Sequence, residues 1–328
     1  MSSHRIKPGK APKLHKIDTA GTPDWSKGRE AGEARALELN KELEALQELL
    51  YAENKHRVLV VLQAMDTGGK DGVIRQVFEG VNPIGVRVAS FKQPSTLELS
   101  HNYLWRYFAQ LPKRGEIVIF NRSHYESVLV ERVHELVPKR VWKRRFTHIA
   151  EMEQALADEG TTIIKFFLHI SKAEQKLRLQ ARLDDKQKLW KFSPADIAER
   201  EHWSDYMEAY EEAIERTSSD EAPWYVIPAD KKWYRDLVIS QIIVDTLKGL
   251  NMQFPKPASG LDSVVIPDSL LRLEHQRDAV NAPSLIGWHV VAFALKQMAH
   301  MRATLGAAHL GPNARREGTI FDKLDCIV

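Results

Sequence analysis

The feature that most constrains the fold is the run Val58-Leu-Val-Val-Leu62, followed at once by Gln-Ala-Met-Asp-Thr-Gly-Gly-Lys-Asp-Gly72 and an amphipathic segment from about Val73. Five consecutive aliphatic residues leave no polar face for solvent. Such a strand must be covered on both sides, as strands of parallel sheets are. A buried strand, a glycine-containing turn and a helix, in that order, make a site for an anion. Backbone N–H groups at the helix start point at it, and a lysine neutralises it. The usual spacing is Gly, four residues, then Gly-Lys-Ser/Thr. Here Ala64 stands for the first glycine and Asp71 for the hydroxyl. Gly68, Gly69, Lys70, Asp71 and Gly72 are the candidate phosphate-binding residues. Asp66 inside the loop supplies a hard oxygen ligand suited to Mg²⁺ in place of the missing hydroxyl. The plainer alternative is a glycine-rich turn that starts a helix and exposes a lysine.

Four further apolar runs follow, Val86–Phe91, Ile117–Phe120, Thr162–Leu168 and Trp224–Ile227, separated by helical patterns. Strands alternating with helices predict right-handed crossovers and a five-stranded parallel sheet in a three-layer α/β fold of the P-loop type. Leu39, Leu43, Leu46 and Leu50, spaced four, three and four apart, mark an amphipathic helix before the first strand. Residues 1–27 read as a basic arm, partly ordered by docking on the body. Residues 28–255 are expected to form the main, catalytic domain. Within it, about 171–219 is too long and too charged for a simple crossover and is expected to project as a helical lid. Past Pro255 the pattern changes. Residues 256–328 carry a helical pattern from Ser284 to about Arg302 but no motif, and their role is open.

A second constellation is Ile117-Val-Ile-Phe-Asn-Arg-Ser-His-Tyr-Glu126, a buried strand delivering Asn121, Arg122 and Glu126 at its carboxyl end. Arg122 can clamp phosphate oxygens in a bidentate manner, and Glu126 can restore the negative charge that Asn121 lacks, as a second metal ligand beside Asp66. The structural alternative is a capping box of Ser123 with Glu126. Arg178 and Arg182, four apart on a predicted helix, leave one face and could neutralise charge in phosphoryl transfer. Lys139, Arg140, Lys143, Arg144 and Arg145 form a denser cluster, fit for the track of a long polyanion or for plain surface.

A formal net charge of +3 gives no global field for nucleic acid or membrane, so a polyanion must be met by local cations. Cys326 is the single cysteine, which excludes an intramolecular disulfide and suits a reducing cytoplasm. Leu285–Met298 is too short and too polar to span a bilayer.

On Leu62-Gln-Ala-Met-Asp-Thr-Gly-Gly-Lys-Asp-Gly72, Phe91-Lys-Gln-Pro94, Phe120-Asn-Arg-Ser-His-Tyr-Glu126, Arg178-Leu-Gln-Ala-Arg182, Trp190-Lys-Phe and Trp203-Ser-Asp-Tyr206, the chain resembles the family-2 polyphosphate kinases over about Asp18 to Pro255. The resemblance implies Mg²⁺-dependent phosphoryl transfer between inorganic polyphosphate and nucleotides, and assembly as a homodimer or homotetramer. It implies that Asp66 with Lys70, Arg122 with Glu126, and Arg178 with Arg182 are catalytic, and that Lys92 and Asn121 join the binding set. Asn121 is similar to the branch accepting both AMP and ADP. The rival readings are an ATP-dependent kinase of a nucleoside or other small molecule and a non-catalytic polyanion-binding protein.

Overall fold

The computed structural model describes residues 2–266. The helical pattern at Ser284–Arg302 and Cys326 therefore lie outside the described residues, and residues 257–266, which belong to a second unit, carry a short turn at Leu261–Ser263. The body begins with α1 (Gly28–Glu53) and continues through β1 (Arg57–Ala64), α2 (Lys70–Val77), β2 (Val86–Ser90), α3 (Thr96–Leu99), α4 (Trp105–Phe108) and β3 (Ile117–Asn121). It goes on with α5 (Val130–Val133), α6 (Lys139–Asp158), β4 (Thr161–His169), α7 (Lys172–Asp184), α8 (Ala195–Glu201), α9 (Trp203–Thr217), β5 (Trp224–Pro228) and α10 (Lys232–Gly249).

All five strands pair in parallel, in the order β2-β3-β1-β4-β5, with Leu62 opposite Asn121. β1 is central, and its alternation feeds two cores. Val58, Val60 and Leu62 pack with Leu39 and Leu43 of α1, Val73 and Val77 of α2 and the apolar side of α10. Leu59 and Val61 face the other way, against Phe146 and Ile149 of α6 and Tyr210, Ala213 and Ile214 of α9. The sheet is thus the middle of three layers. The connection after β1 leaves by one face and the connection after β3 by the other. That divergence opens a crevice at the carboxyl ends of these neighbouring strands, where open α/β sheets take their ligands.

The basic arm is pinned rather than loose. Its Arg5 bridges Tyr225 on the outer edge of β5, Ile6 N–H donates to Trp224 C=O at 2.9 Å, and Leu14 is buried. The segment expected to project as a lid is narrower than its charge suggests. Only α7, α8 and the turn between them are largely exposed, because α9 buries Tyr206, Ala209, Tyr210, Ala213 and Ile214. Their spacing is a helical stripe that belongs to the core.

Beneath the second constellation lies an internal charge pair. Lys165, fully buried on β4, is bonded to the Glu153 carboxylate, to Tyr125 Oη at 3.0 Å and to Thr217 C=O at 2.7 Å. Glu153 Oε1 also lies 3.1 Å from His124 Nε2 and 2.9 Å from Tyr125 Oη. Every ammonium proton has an acceptor, so the pair is tolerated without adding much net stability. Removing one partner is another matter, because it orphans a buried charge. Lys165→Met should lower the unfolding free energy by about 3–5 kcal/mol, with most of the loss recovered in Lys165→Met/Glu153→Leu. Chemical denaturation checks this; a single variant as stable as the parent contradicts it.

Candidate active site

The loop from β1 turns on two glycines. A Cβ on Gly68 would stand 2.4 Å from the Ala64 Cβ and 2.8 Å from Met65 C=O, so the alanine in place of the usual glycine is accommodated by having none at 68. Gly69 is the residue before α2 and sits at φ +102°, a left-handed conformation that favours glycine. No side chain caps α2. Its first N–H groups, which have no partner within the helix, face the carboxyl edge of the sheet. Lys70, the first residue of α2, folds back so that Nζ donates to Ala64 C=O at 3.1 Å. Withdrawal from water and the nearby Arg122 guanidinium bring the Lys70 ammonium down to about 8.

β3 delivers the second half. Asn121 Nδ2 donates to Asp71 Oδ1 at 2.9 Å, which joins the two loops and gives Asp71, standing where the motif has a hydroxyl, its partner. Arg122 adopts φ +62°, uncommon for a residue with a side chain, and its Nη2 donates to Asp66 Oδ1 at 3.0 Å. Such a backbone persists where the surroundings hold it, and functional sites collect such residues. The capping box is not made. The Ser123 hydroxyl accepts from Tyr125 N–H, in a 3-10 turn rather than an α-helix, Glu126 N–H goes to Ser123 C=O, and the Glu126 carboxylate does not close back on Ser123. Glu126 instead faces Arg122 and Lys70, and burial raises its carboxyl above the ordinary range.

Asp66, Lys70, Asp71, Asn121, Arg122 and Glu126 therefore share one crevice. Arg178 reaches it from α7, but as a tether: Nη1 donates to Thr67 C=O at 3.1 Å, Nη2 to Ala229 C=O at 2.6 Å, and Nε pairs with Glu174 at 2.7 Å. Arg182 stays in the lid, 3.6 Å from Asp196 and bonded to Lys191 C=O. Burial and the neighbouring Asp66 raise the Asp196 carboxyl, which places this lid acid within charge range of the loop. Lys92 is exposed beyond β2, two strands from β1, and its side chain makes no hydrogen bond or ion pair among the described residues. Of the basic cluster, Arg145 is not free. It is buried, paired with Glu131 and bonded to Ser127 C=O. Lys139, Arg140, Lys143 and Arg144 remain exposed.

The residue that sequence reasoning missed is Arg235. It comes from α10, more than 160 positions after the loop, and its guanidinium lies against Gly69. No local pattern marks it, since an Arg-Asp pair in a helix reads as surface.

Two loops, three carboxylates and interleaved cations at one switch point are the equipment of a phosphoryl-transfer site. The sequence profile of polyphosphate kinase 2 matches residues 24–255. The chain belongs to the polyphosphate kinase 2 family. It is 56% identical over 266 residues to the AMP/ADP-polyphosphate phosphotransferase of Meiothermus ruber, a match covering 81% of this chain and 100% of the relative. The ADP-polyphosphate phosphotransferase of Rhodopseudomonas palustris is 49% identical over 244 residues, or 70% and 84% of the two chains. The crystal structure of polyphosphate kinase 2 from Arthrobacter aurescens TC1 superposes with a TM-score of 0.76 at 42% identity, covering 79% of this chain and 93% of that one.

Within this polyphosphate kinase 2 framework the donor set suits a hard divalent cation. Among the described residues no three acidic, histidine or cysteine side chains gather into an all-protein cage. Mg²⁺ is ordinarily held by one or two carboxylates, with phosphate and water completing the octahedron, and Asp66 and Glu126 offer that many.

Two outcomes follow from this geometry. Gly68→Ala should cut turnover by roughly 10²-fold through displacement of the loop, and Ala64→Gly added to it should restore only part, because the contact with Met65 C=O remains. Steady-state kinetics measures both, and a fully active Gly68→Ala contradicts the packing. Second, kcat/KM should fall as pH rises through about 8, as Lys70 loses its proton in the free enzyme. A flat profile from pH 7 to 10 contradicts that assignment.

Proposed function

We propose that this enzyme transfers phosphoryl groups between inorganic polyphosphate and nucleotides, with AMP and ADP both as acceptors, and with Mg²⁺. The observation that carries the reading is the uncapped α2 start with Lys70 behind it and Arg122 beside it, in a chain so similar to two polyphosphate phosphotransferases. The terminal phosphoryl of polyphosphate binds on the loop amides and Lys70. Arg122 neutralises its equatorial oxygens, releasing Asp66 from their ion pair. Arg178 holds the loop to α7 at Thr67, and Arg182 comes in from the lid beside Asp196. Mg²⁺, when bound through Asp66 and Glu126, supplies charge neutralisation across donor and acceptor phosphates. An acceptor phosphate oxygen is already ionised near neutrality, so no strong general base is needed, and Glu126 orients rather than takes a proton. The broader acceptor range rests on Asn121, which is similar to the branch accepting both AMP and ADP.

No described helix is long and apolar enough to cross a membrane. Action in the cytoplasm and assembly as a homodimer or homotetramer are part of the same reading.

The test is incubation of purified protein with long-chain polyphosphate, Mg²⁺ and, separately, AMP, ADP or GDP, with nucleotides resolved by chromatography. ATP from both AMP and ADP is expected. ATP from ADP alone removes AMP from the reading, and bound polyphosphate without any product removes catalysis. Lys70→Ala and Asp66→Ala should each abolish turnover while leaving the circular dichroism spectrum unchanged. Near-normal activity in either variant contradicts its assigned role.

A further inference from the structure

Arg235 is 1% exposed, yet its charge is only partly answered by protein. Nε donates to Asp236 Oδ1 at 2.8 Å and Nη2 to Asp236 Oδ2 at 3.0 Å, so one edge of the fork is held by the next residue on α10. The other edge points at the phosphate loop. Nη1 lies 2.1 Å from the place a Cβ on Gly69 would occupy and 3.7 Å from the corresponding place on Gly72, and of the guanidinium nitrogens only Nε and Nη2 have acceptors among the described residues. Arg178 Nη1 stands 3.5 Å from the same point on Gly69, but its donors are spent on Thr67, Ala229 and Glu174. Arg75 and Arg178 are both close enough to act on the Arg235 charge.

Two guanidinium groups thus converge on one glycine, and Arg235 keeps a nitrogen that no protein acceptor holds. Three like charges gathered at a loop repel one another. An anion on the loop relieves both. The glycine at 69 is then required twice, for its left-handed backbone and for the space that Arg235 fills. The carboxylates of Asp66 and Glu126 lie with Arg122, whereas the acid nearest Arg235 is Asp236, directed away from the loop into the fork.

We propose that Arg235 is a positioning residue of the phosphate loop, holding the Gly69–Gly72 turn in shape and lending a fixed buried positive charge to the polyphosphate end seated there, with Asp236 holding its fork. This rests on the reading that polyphosphate, not the nucleotide, occupies the loop. It acts through the loop backbone, so its loss raises the KM for polyphosphate far more than the KM for ADP.

The test uses the full chain with Arg235→Met/Asp236→Asn, which removes the charge without leaving a buried carboxylate, and Arg235→Lys, which keeps charge but not the fork. Thermal melting reports folding, and initial rates are taken against polyphosphate, ADP and salt. The double variant should melt close to the parent, lose about tenfold or more in polyphosphate affinity, the scale of one charged contact, keep its KM for ADP, and show a shallower salt dependence. Arg235→Lys should recover part of that loss. A folded double variant with the parental KM for polyphosphate overturns the proposal; so does an Arg235→Lys that binds polyphosphate no better than the double variant. Should the double variant not fold, Arg235→Lys decides alone: a KM for polyphosphate and a salt dependence close to the parent's support the charge, and a loss of about tenfold or more despite the retained charge overturns it. The parent in the same assay separates the two readings: if it turns over no polyphosphate the functional reading falls, and calorimetry with inorganic tripolyphosphate, parent against variants, still decides whether Arg235 serves a bound anion.

Discussion

The start of α2 is the constraint around which this molecule is organised. A helix begins with N–H groups that have no partner within it, and here no side chain supplies one. Its position cannot relax away from the problem. β1 is buried on both faces from Val58 onward, so the strand cannot slip without moving its aliphatic residues out of two cores at once. Gly68 and Gly69 then leave one path for the chain between strand and helix. What completes the arrangement is an anion, attracted by the helix dipole as well as by the free amides.

Charge is handled locally rather than globally. The net charge is only +3, and the site cations are mostly given acids of their own to wait with: Arg122 with Asp66, Arg178 with Glu174, Arg182 with Asp196, Arg235 with Asp236. A phosphate that arrives exchanges one set of partners for another instead of meeting naked charge. The same pairing leaves the carboxylates available for a divalent cation once the arginines turn to phosphate. Deeper down, the Lys165–Glu153 pair and the ring of His124 and Tyr125 fix the turn that carries Arg122 and Glu126. Rigidity at the crevice therefore comes from buried polar bonds as well as from apolar packing.

Much of this was legible in the residues. All five strands fall where the apolar runs place them: β1 is covered on both faces and reads as a continuous aliphatic run, and even the edge strand β2, with Arg87 and an exposed Ser90, keeps enough apolar residues to be seen. The two loops were found because each follows such a strand directly. Three things were not legible, each for a physical reason. The charges of α9 outnumber its apolar stripe and give it the look of the lid, although Tyr206, Tyr210 and Ile214 bind it to the core. Arg145 sits in a run of exposed cations, although one helical turn decides that it faces Glu131. Arg235 reaches the loop only through the packing of α10 on α2, and tertiary neighbours leave no trace in local spacing.

The most direct test of the account is a single-turnover experiment with enzyme in excess over polyphosphate carrying ³²P in its terminal residues, mixed with Mg²⁺ and ADP and quenched on the timescale of one turnover. If the loop holds the chain end, the label enters ATP in the first turnover, before the average polyphosphate length changes. Label that stays in shortened polyphosphate while unlabelled ATP accumulates would contradict it, because the transferred phosphoryl would then have come from somewhere other than the end bound at α2.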